Sequence, residues 1–573
     1  MQTPAIHAAA IPPPARQTSD PLQLRVALLG NPNSYPEWTD ARLASVREAG
    51  FNAIQINIAW LSRPNDEALN LRDVVTLPAD KEATRTAQRR DELHKRATLA
   101  HKAGLRTIFH FGSPYMWRNP ETGEVKPQNP ETFHANPPWF DVTNPKVVEY
   151  ETALLRKFRS EFPEVDDILV YTYDQDAWQA SEFGIGPSRG VPLHERLHKY
   201  LYALHIAWTE GRETSCTMWW EPWELSAGQV LKCVPQLPRF AFGLMLHSNI
   251  AEVQIAYPVD VWFRNTARMA QEFGIPVIAE GFFGSATEEI QPLAFPFPRL
   301  TDEQFLAVTS VAGVNGVKEY FGITTDEPDY NLHMFTARLK NPGKTTQALL
   351  QMIAKDFGAQ QEAGVRLFQL LSDAMQLFPW DVSWYARLAG TALIDHGWRA
   401  AAIRGQQVET PSWESTRRSH FMMTEDKQPH PFLLEDVQLR CELALKKLAE
   451  ARVIGRVLIA TLPDSPDRKA IIKALSDVDK FRRVVSSYAL HIRETNVAML
   501  LRGDLSEGRP MTPHLLNEME ALLIADVENQ GGTGRVVEMQ QKFKADPAAF
   551  VKEHLLPFDK DVRERGIFTL TTR

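Results

Sequence analysis

The residues of this chain best able to do chemistry are carboxylates set among aromatic side chains. Asp174 and Asp176 stand two apart, Glu280 lies in the apolar run PVIAEGFF, Glu221 follows Trp220, and Glu319 follows Lys318. Paired carboxyl groups suit cleavage of a glycosidic bond. One protonates the leaving oxygen, and the other acts as nucleophile or activates water across an oxocarbenium-like transition state. Asp174 and Asp176 share one face of an extended chain. Close carboxylates push one pKa up, which suits a proton donor at neutral pH. Burial would raise Glu280 in the same way, unless it pairs with Lys318 or Arg264 to brace its surroundings. The expected catalytic groups are therefore Asp174, Asp176 and Glu280. Trp60, Trp117, Trp178, Trp220, Tyr173 and Tyr320 offer flat faces for sugar rings. Asn33, Arg118, Glu221, His247 and Glu319 offer partners for sugar hydroxyls.

These residues must be positioned by a regular framework, and the chain has one. Apolar β-type runs fall at 25–33, 51–60, 105–114, 166–176, 213–224, 240–249, 275–284 and 313–322. Helical patterns separate them, several closed by a glycine such as Gly50 or Gly104. Apolar strands alternating with helices imply a parallel sheet covered on its outside. Eight such units close into a (β/α)8 barrel of the α/β class, whose chemistry sits at the C-terminal ends of the strands. Every candidate above falls at such an end. No Gly-x-Gly-x-x-Gly follows the first strand and no Walker loop occurs, so a nucleotide-binding open sheet is disfavoured. After residue 335 the pattern becomes helical throughout. The expected domains are a mobile tail over 1–22, a catalytic barrel over 23–335 and an all-helical domain over 336–573. The helical domain is expected to support the barrel, to close one wall of the cleft or to join copies of the chain. The polar stretch 404–431 reads as a long excursion.

A barrel with an acid on its fourth strand and a glutamate on its seventh resembles many barrel glycoside hydrolases. Its continuation into helices through FTARLKNPGKTTQALLQMIAKDFG is similar to the α-glucuronidases that trim xylan side chains, and to hexosaminidase-like barrels with helical tails. The resemblance implies a glycosidase with an oligosaccharide or glycoside substrate. The α-glucuronidases add an N-terminal sandwich domain that has no counterpart in this sequence, so their catalytic residues do not transfer by position. The Asp174-Gln175-Asp176 element also resembles hexosaminidases that use the substrate's N-acetyl group, which would make Glu280 a binding residue. A sugar lyase or isomerase, or a non-catalytic sugar-binding barrel, are the other readings.

Composition narrows the field further. Lys+Arg 63 against Asp+Glu 71 gives a net charge of −8, which argues against nucleic acid and anionic membranes as partners. No uncharged apolar run reaches the roughly 18 residues of a membrane span. Three cysteines are too few for a disulfide framework, and the Ala/Pro-rich start lacks a signal peptide's basic and apolar regions. A cytoplasmic protein is the expectation. His194-Glu195-Arg196-Leu197-His198 matches H-E-x-x-H, the spacing that sets two imidazoles on one helical face for zinc, with His205 as a further ligand. It falls on the helix after the fourth strand, on the barrel's outside. The expectation is adventitious spacing, with no metal and no cofactor.

Overall fold

A computed structural model of the chain describes residues 22–30, 35–57, 71–75, 87–113, 117–118, 125–126, 142–143, 145–171, 190–212, 216–222, 225, 227–248, 252–288, 293, 296–323, 328–380 and 431–552. Eight parallel strands close into a barrel: β1 (Leu24–Leu28), β2 (Ala53–Gln55), β3 (Arg106–Gly112), β6 (Asp167–Tyr171), β7 (Thr217–Glu221), β8 (Phe242–Leu246), β9 (Val277–Gly281) and β10 (Val314–Glu319). Two short strands, β4 (Trp117–Arg118) and β5 (Val125–Lys126), form an antiparallel pair after β3. Among the described residues the barrel strands are shorter than the corresponding apolar runs.

Alternation along the strands divides their side chains into two sets. Val26, Ala53, Ile108, Leu169, Trp219, Met245 and Ile278 meet inside the barrel as a closed apolar plug. Their neighbours Ala27, Ile54, Phe109, Ile168, Met218, Trp220, Leu244 and Val277 point outward and pack under the helices. Two residues beyond the plug, towards the C-terminal ends, the same inward positions carry Gln55, His110, Tyr171, Glu221, His247 and Glu280. Lys318 is opposite Glu280 in the ladder. The plug needs one glycine in particular. A Cβ on Gly243 would stand 2.2 Å from the Trp219 ring, so the indole lies where only a bare backbone leaves room.

The helices begin where their caps dictate. Thr39 accepts a hydrogen bond from the Arg42 amide at the start of Asp40–Glu48, and Asp260 accepts from the Phe263 amide at the start of Val261–Glu272. Asp329 accepts from the Asn331 and Leu332 amides and opens Tyr330–Lys340, the eighth barrel helix. That helix spans the expected boundary between 335 and 336. Its Phe335 packs in the barrel's outer core, whereas Tyr330 and Met334 pack in a second core with the helices that follow.

Beyond that helix, the α-helices among the described residues are Thr346–Ile353, Gln361–Leu377, Pro431–Thr461, Pro466–Ser506, Pro513–Asn529 and Arg535–Ala545. The second core joins Leu367, Leu371, Leu448, Phe481 and Tyr488 to Val253, Phe282 and Phe321, which follow β8, β9 and β10. The helical region thus packs against the segments that follow the C-terminal ends of the barrel strands. The Tyr330 hydroxyl donates to Asp467 at 2.7 Å, tying the eighth barrel helix to the start of the 41-residue helix. A third core, with Val497, Leu501, Leu523 and Phe543, holds the far end together. Among the described residues no helix is long and apolar enough to cross a membrane.

Candidate active site

Glu280 ends β9 with its side chain inward, and the surroundings of β9 hold it there. The Gln304 side-chain amide bonds both the amide and the carbonyl of Phe282, fixing the backbone two residues on. A Cβ on Gly281 would meet that same amide oxygen at 2.8 Å. Glu319 ends β10 with its side chain outward. Its two oxygens accept from the amides of Phe283 and Gly284 after β9, and of Phe321 and Gly322 after β10. It clamps two strand ends together, and this engagement leaves it a framework role in place of the expected contact with substrate.

The clamp presents Glu280 to Lys318. Lys318 Nζ donates to Glu280 Oε1 at 2.6 Å, with both side chains nearly sealed from solvent. This is the Lys318 pairing considered from sequence; Arg264 lies on the outer helix Val261–Glu272. Glu280 Oε2 is buried with no hydrogen-bond partner among the described residues. Glu221, at the end of β7, stands across the same ring. Its Oε2 is 3.3 Å from His110 Nε2, and its Oε1 is 3.9 Å from His247 Nε2. Asn57 sets the height of His110, donating to its carbonyl at 2.7 Å and accepting from its amide at 2.8 Å.

One ammonium therefore serves two buried carboxyls, and the electrostatics follow. Burial raises Glu221 to about 7, opposed by the charge of Lys318. Burial raises Glu280 to about 8, opposed by the charge of Lys318 and its hydrogen bond, and reinforced by the charges of Glu221 and Glu319. The acids interact, so the pair sheds its protons in steps near these values, and neither step belongs wholly to one residue. Around neutrality such a pair holds one proton and one negative charge. One group can donate a proton while the other carries charge, which is what acid-assisted displacement at a sugar carbon needs.

One oxygen each of Glu221 and Glu280 and a nitrogen of His247 lie within 4.8 Å of one another, a set of types that could also hold a metal ion. The Lys318 ammonium already occupies one oxygen of Glu280 and competes with a cation for it. The H-E-x-x-H residues are elsewhere. They lie on the outer helix Leu193–Thr209, where His198 Nδ1 is 2.8 Å from the His194 carbonyl and Glu195 is exposed. His205 Nε2 bonds the Phe240 carbonyl at 2.7 Å.

The other expected site residues divide three ways. Glu221, His247 and Glu280 come together in the inward ring. Trp220 is fully buried among outward-facing core residues, so it is a packing residue and not an exposed sugar platform. The reason is parity: Glu221 faces in, so its neighbour faces out. Tyr320 is also buried; its ring packs on Phe282 and its hydroxyl donates to Glu288 at 2.7 Å. Trp117 and Arg118 form β4. Asn33, Trp60, Tyr173, Asp174, Asp176 and Trp178 lie outside the described residues. Sequence reasoning passed over His110, Gln55 and Asn57, although counting in twos from Ile108 and Ala53 reaches them.

No protein-family model matches the sequence, and no curated protein matches it. Among solved structures the fold is similar to that of a GH138 enzyme targeting pectin rhamnogalacturonan II. The TM-score is 0.58 with 12% identity, over 90% of this chain and 62% of that one. The chain thus spans less than two thirds of that protein's length, and the likeness is one of fold. Weaker likenesses are to a mutant O-GlcNAc hydrolase from Thermobaculum terrenum and a family 89 glycoside hydrolase from Clostridium perfringens. The first has TM-score 0.37 and 10% identity over 96% of this chain and 97% of that one. The second has TM-score 0.39 and 11% identity over 88% and 54%.

Proposed function

We propose that the chain is a glycoside hydrolase whose chemistry takes place over the Glu221–Glu280 pair at the C-terminal end of the barrel. The observation that carries this reading is the pair itself: two buried acids with raised pKa values, facing each other and sharing one ammonium. Their ligand oxygens lie within 4.8 Å. That upper bound falls short of the about 6.5–9.5 Å that leaves room for water in inverting enzymes, and so favours retention. Burial holds the Glu280 proton to about 8 against about 7 for Glu221, but the two titrate as one pair, and the direct bond from the Lys318 ammonium favours the charge on Glu280, which attacks the anomeric carbon. Glu221, between two imidazoles, gives its proton to the leaving oxygen as the glycosidic C–O bond breaks. It then takes a proton from the water that releases the sugar from Glu280. Asp174 and Asp176 follow β6, which is paired in register with β7 at Tyr171 and Glu221. They remain candidates for a second donor or for orienting an N-acetyl group.

A sugar isomerase or lyase using a divalent cation is the second reading, favoured by the ligand set Glu221, His247 and Glu280. One experiment separates the two. Aryl glycosides and oligosaccharides, pectic fragments included because of the GH138 likeness, are incubated with the enzyme with and without a strong chelator. The hydrolase reading expects new reducing ends in equal yield with chelator present. Activity lost to chelator and restored by metal, or an unsaturated product absorbing in the ultraviolet, would replace it with the metal reading.

A further inference from the structure

The 41-residue helix Pro466–Ser506 passes through two apolar cores, and polar residues mark the seam between them. Tyr488 and Ile492 belong to the second core and Val497 and Leu501 to the third. His491 and Glu494 flank Ile492 where these sets meet, one helical turn apart and therefore on one face. Asp526 faces them from the adjacent helix Pro513–Asn529. All three are sealed from solvent, at 0%, 1% and 0% exposure.

We propose that His491, Glu494 and Asp526 form a structural zinc site that locks these two helices together. Three observations carry it. One ligand atom from each residue lies within 4.8 Å of the other two. His491 Nε2 is 3.3 Å from Asp526 Oδ2, long for a charge-assisted hydrogen bond but close to the ~3.3 Å edge of a tetrahedron with ~2.0–2.1 Å zinc–ligand bonds. The other oxygen of Asp526 accepts from Gln530 Nε2 at 2.9 Å, the outer contact that orients a ligating carboxylate. The chemistry points the same way. Two carboxylates and an imidazole brought together in a dry helix interface are ligand types that zinc takes. A divalent cation offsets both charges at once. A His and a Glu three apart on one helix, with a carboxylate from a facing helix, is an arrangement that helical bundles use to hold metals. The site is on the helical region, apart from the barrel ring, and it serves stability.

The test uses the full chain purified without chelator, with zinc and cobalt(II) as probes. Elemental analysis should find about one zinc per chain, the content of a single site whose three protein ligands leave the fourth position to water. Cobalt(II) in its place should show the visible bands of a tetrahedral ion. Both signals should persist in Glu221→Gln and disappear in Glu494→Gln and His491→Gln. Chelator should lower the Tm of the wild type by several degrees and leave that of Glu494→Gln unchanged, because only the native site binds the folded state through metal. Wild-type protein that takes up no zinc and gives no tetrahedral cobalt spectrum overturns the proposal. So does metal that leaves with Glu221→Gln and stays with Glu494→Gln, which would assign the metal to the barrel. The wild-type cobalt titration decides the matter even if a variant does not fold.

Discussion

The two ends of the barrel interior each bury an acid beside a cation, and they treat it differently. At the N-terminal end Arg106 grips Asp167 with two bonds, 2.7 Å from Nε and 2.6 Å from Nη2, and the Thr217 amide adds a third at 2.6 Å. Both oxygens of Asp167 are engaged. At the C-terminal end one ammonium stands for two carboxyls, and Glu280 takes one bond from it. The apolar plug from Val26 to Ile278 keeps the two ends apart. Burial raises the acid at both ends. Below, the Arg106 and Thr217 donors oppose that cost at both oxygens of one carboxyl, whereas above a single ammonium opposes it for two. Equal burial therefore gives a strut at one end and, in the proposed reading, a reactive pair at the other. The number of donors per carboxylate makes the difference.

The strongest way to break this contrast is to neutralise the upper acids. Glu280→Gln should keep its shape and lose turnover by roughly 10⁴-fold or more, the scale seen when a covalent catalyst is removed. Substrate binding, followed by calorimetry, should survive. A Glu280→Gln enzyme with normal turnover and a lowered Tm would make the upper pair a strut as well. Glu221→Gln should cost about 10²–10⁴-fold on substrates with poor leaving groups, the range for general acids, and much less on activated aryl glycosides. Equal losses on both substrates would move the acid role to Asp174 or Asp176, which Asp176→Asn would then test.

The lower end should respond in the opposite sense. Asp167→Asn should destabilise the fold while leaving kcat and KM of the folded enzyme unchanged. The loss should be about 2–3 kcal/mol, below the ~3–5 of a fully buried pair, since Arg106 is 28% exposed. Denaturant unfolding beside steady-state kinetics reads both quantities. A kinetic defect without a stability change would erase the distinction between the ends.

The smallest effect is on pH. Turnover should rise as pH passes about 7 and fall as it passes about 8, because only the singly protonated pair has both a donor and a charge. Stability carries the same signature. A carboxyl whose folded pKa is raised contributes stability below its unfolded value near 4.5, and that contribution is lost as pH rises through the folded value. Glu221→Gln removes the loss. Its unfolding free energy relative to wild type should therefore climb from about pH 4.5 to about pH 7 and level off above, by up to about 3 kcal/mol. A difference that shrinks with rising pH would show that the folded protein favours the charged form of Glu221, against a raised value.

Much of this molecule is legible in its residue order. Apolar runs alternating with helical patterns imply a parallel sheet under helices, and eight of them without a nucleotide motif favour closure over an open doubly wound sheet. The ends of those strands are where acids, histidine and aromatics collect, and Glu280 within PVIAEGFF is recognisable as an acid in an apolar setting. Parity along each strand is legible too: Trp219 and Glu221 must share a side, and Trp220 must take the other. Which side faced inward was decided only when the barrel closed, since local alternation is the same for either choice. Closure also decided that Lys318 meets Glu280, that His110 meets Glu221 and that Glu319 turns away to clamp backbone amides. The same holds for His491 and Asp526, 35 residues apart in the chain and 3.3 Å apart in space. A helical pattern dictates which residues share a face. The partner of that face depends on how whole helices dock, and their docking depends on apolar cores contributed by the entire chain.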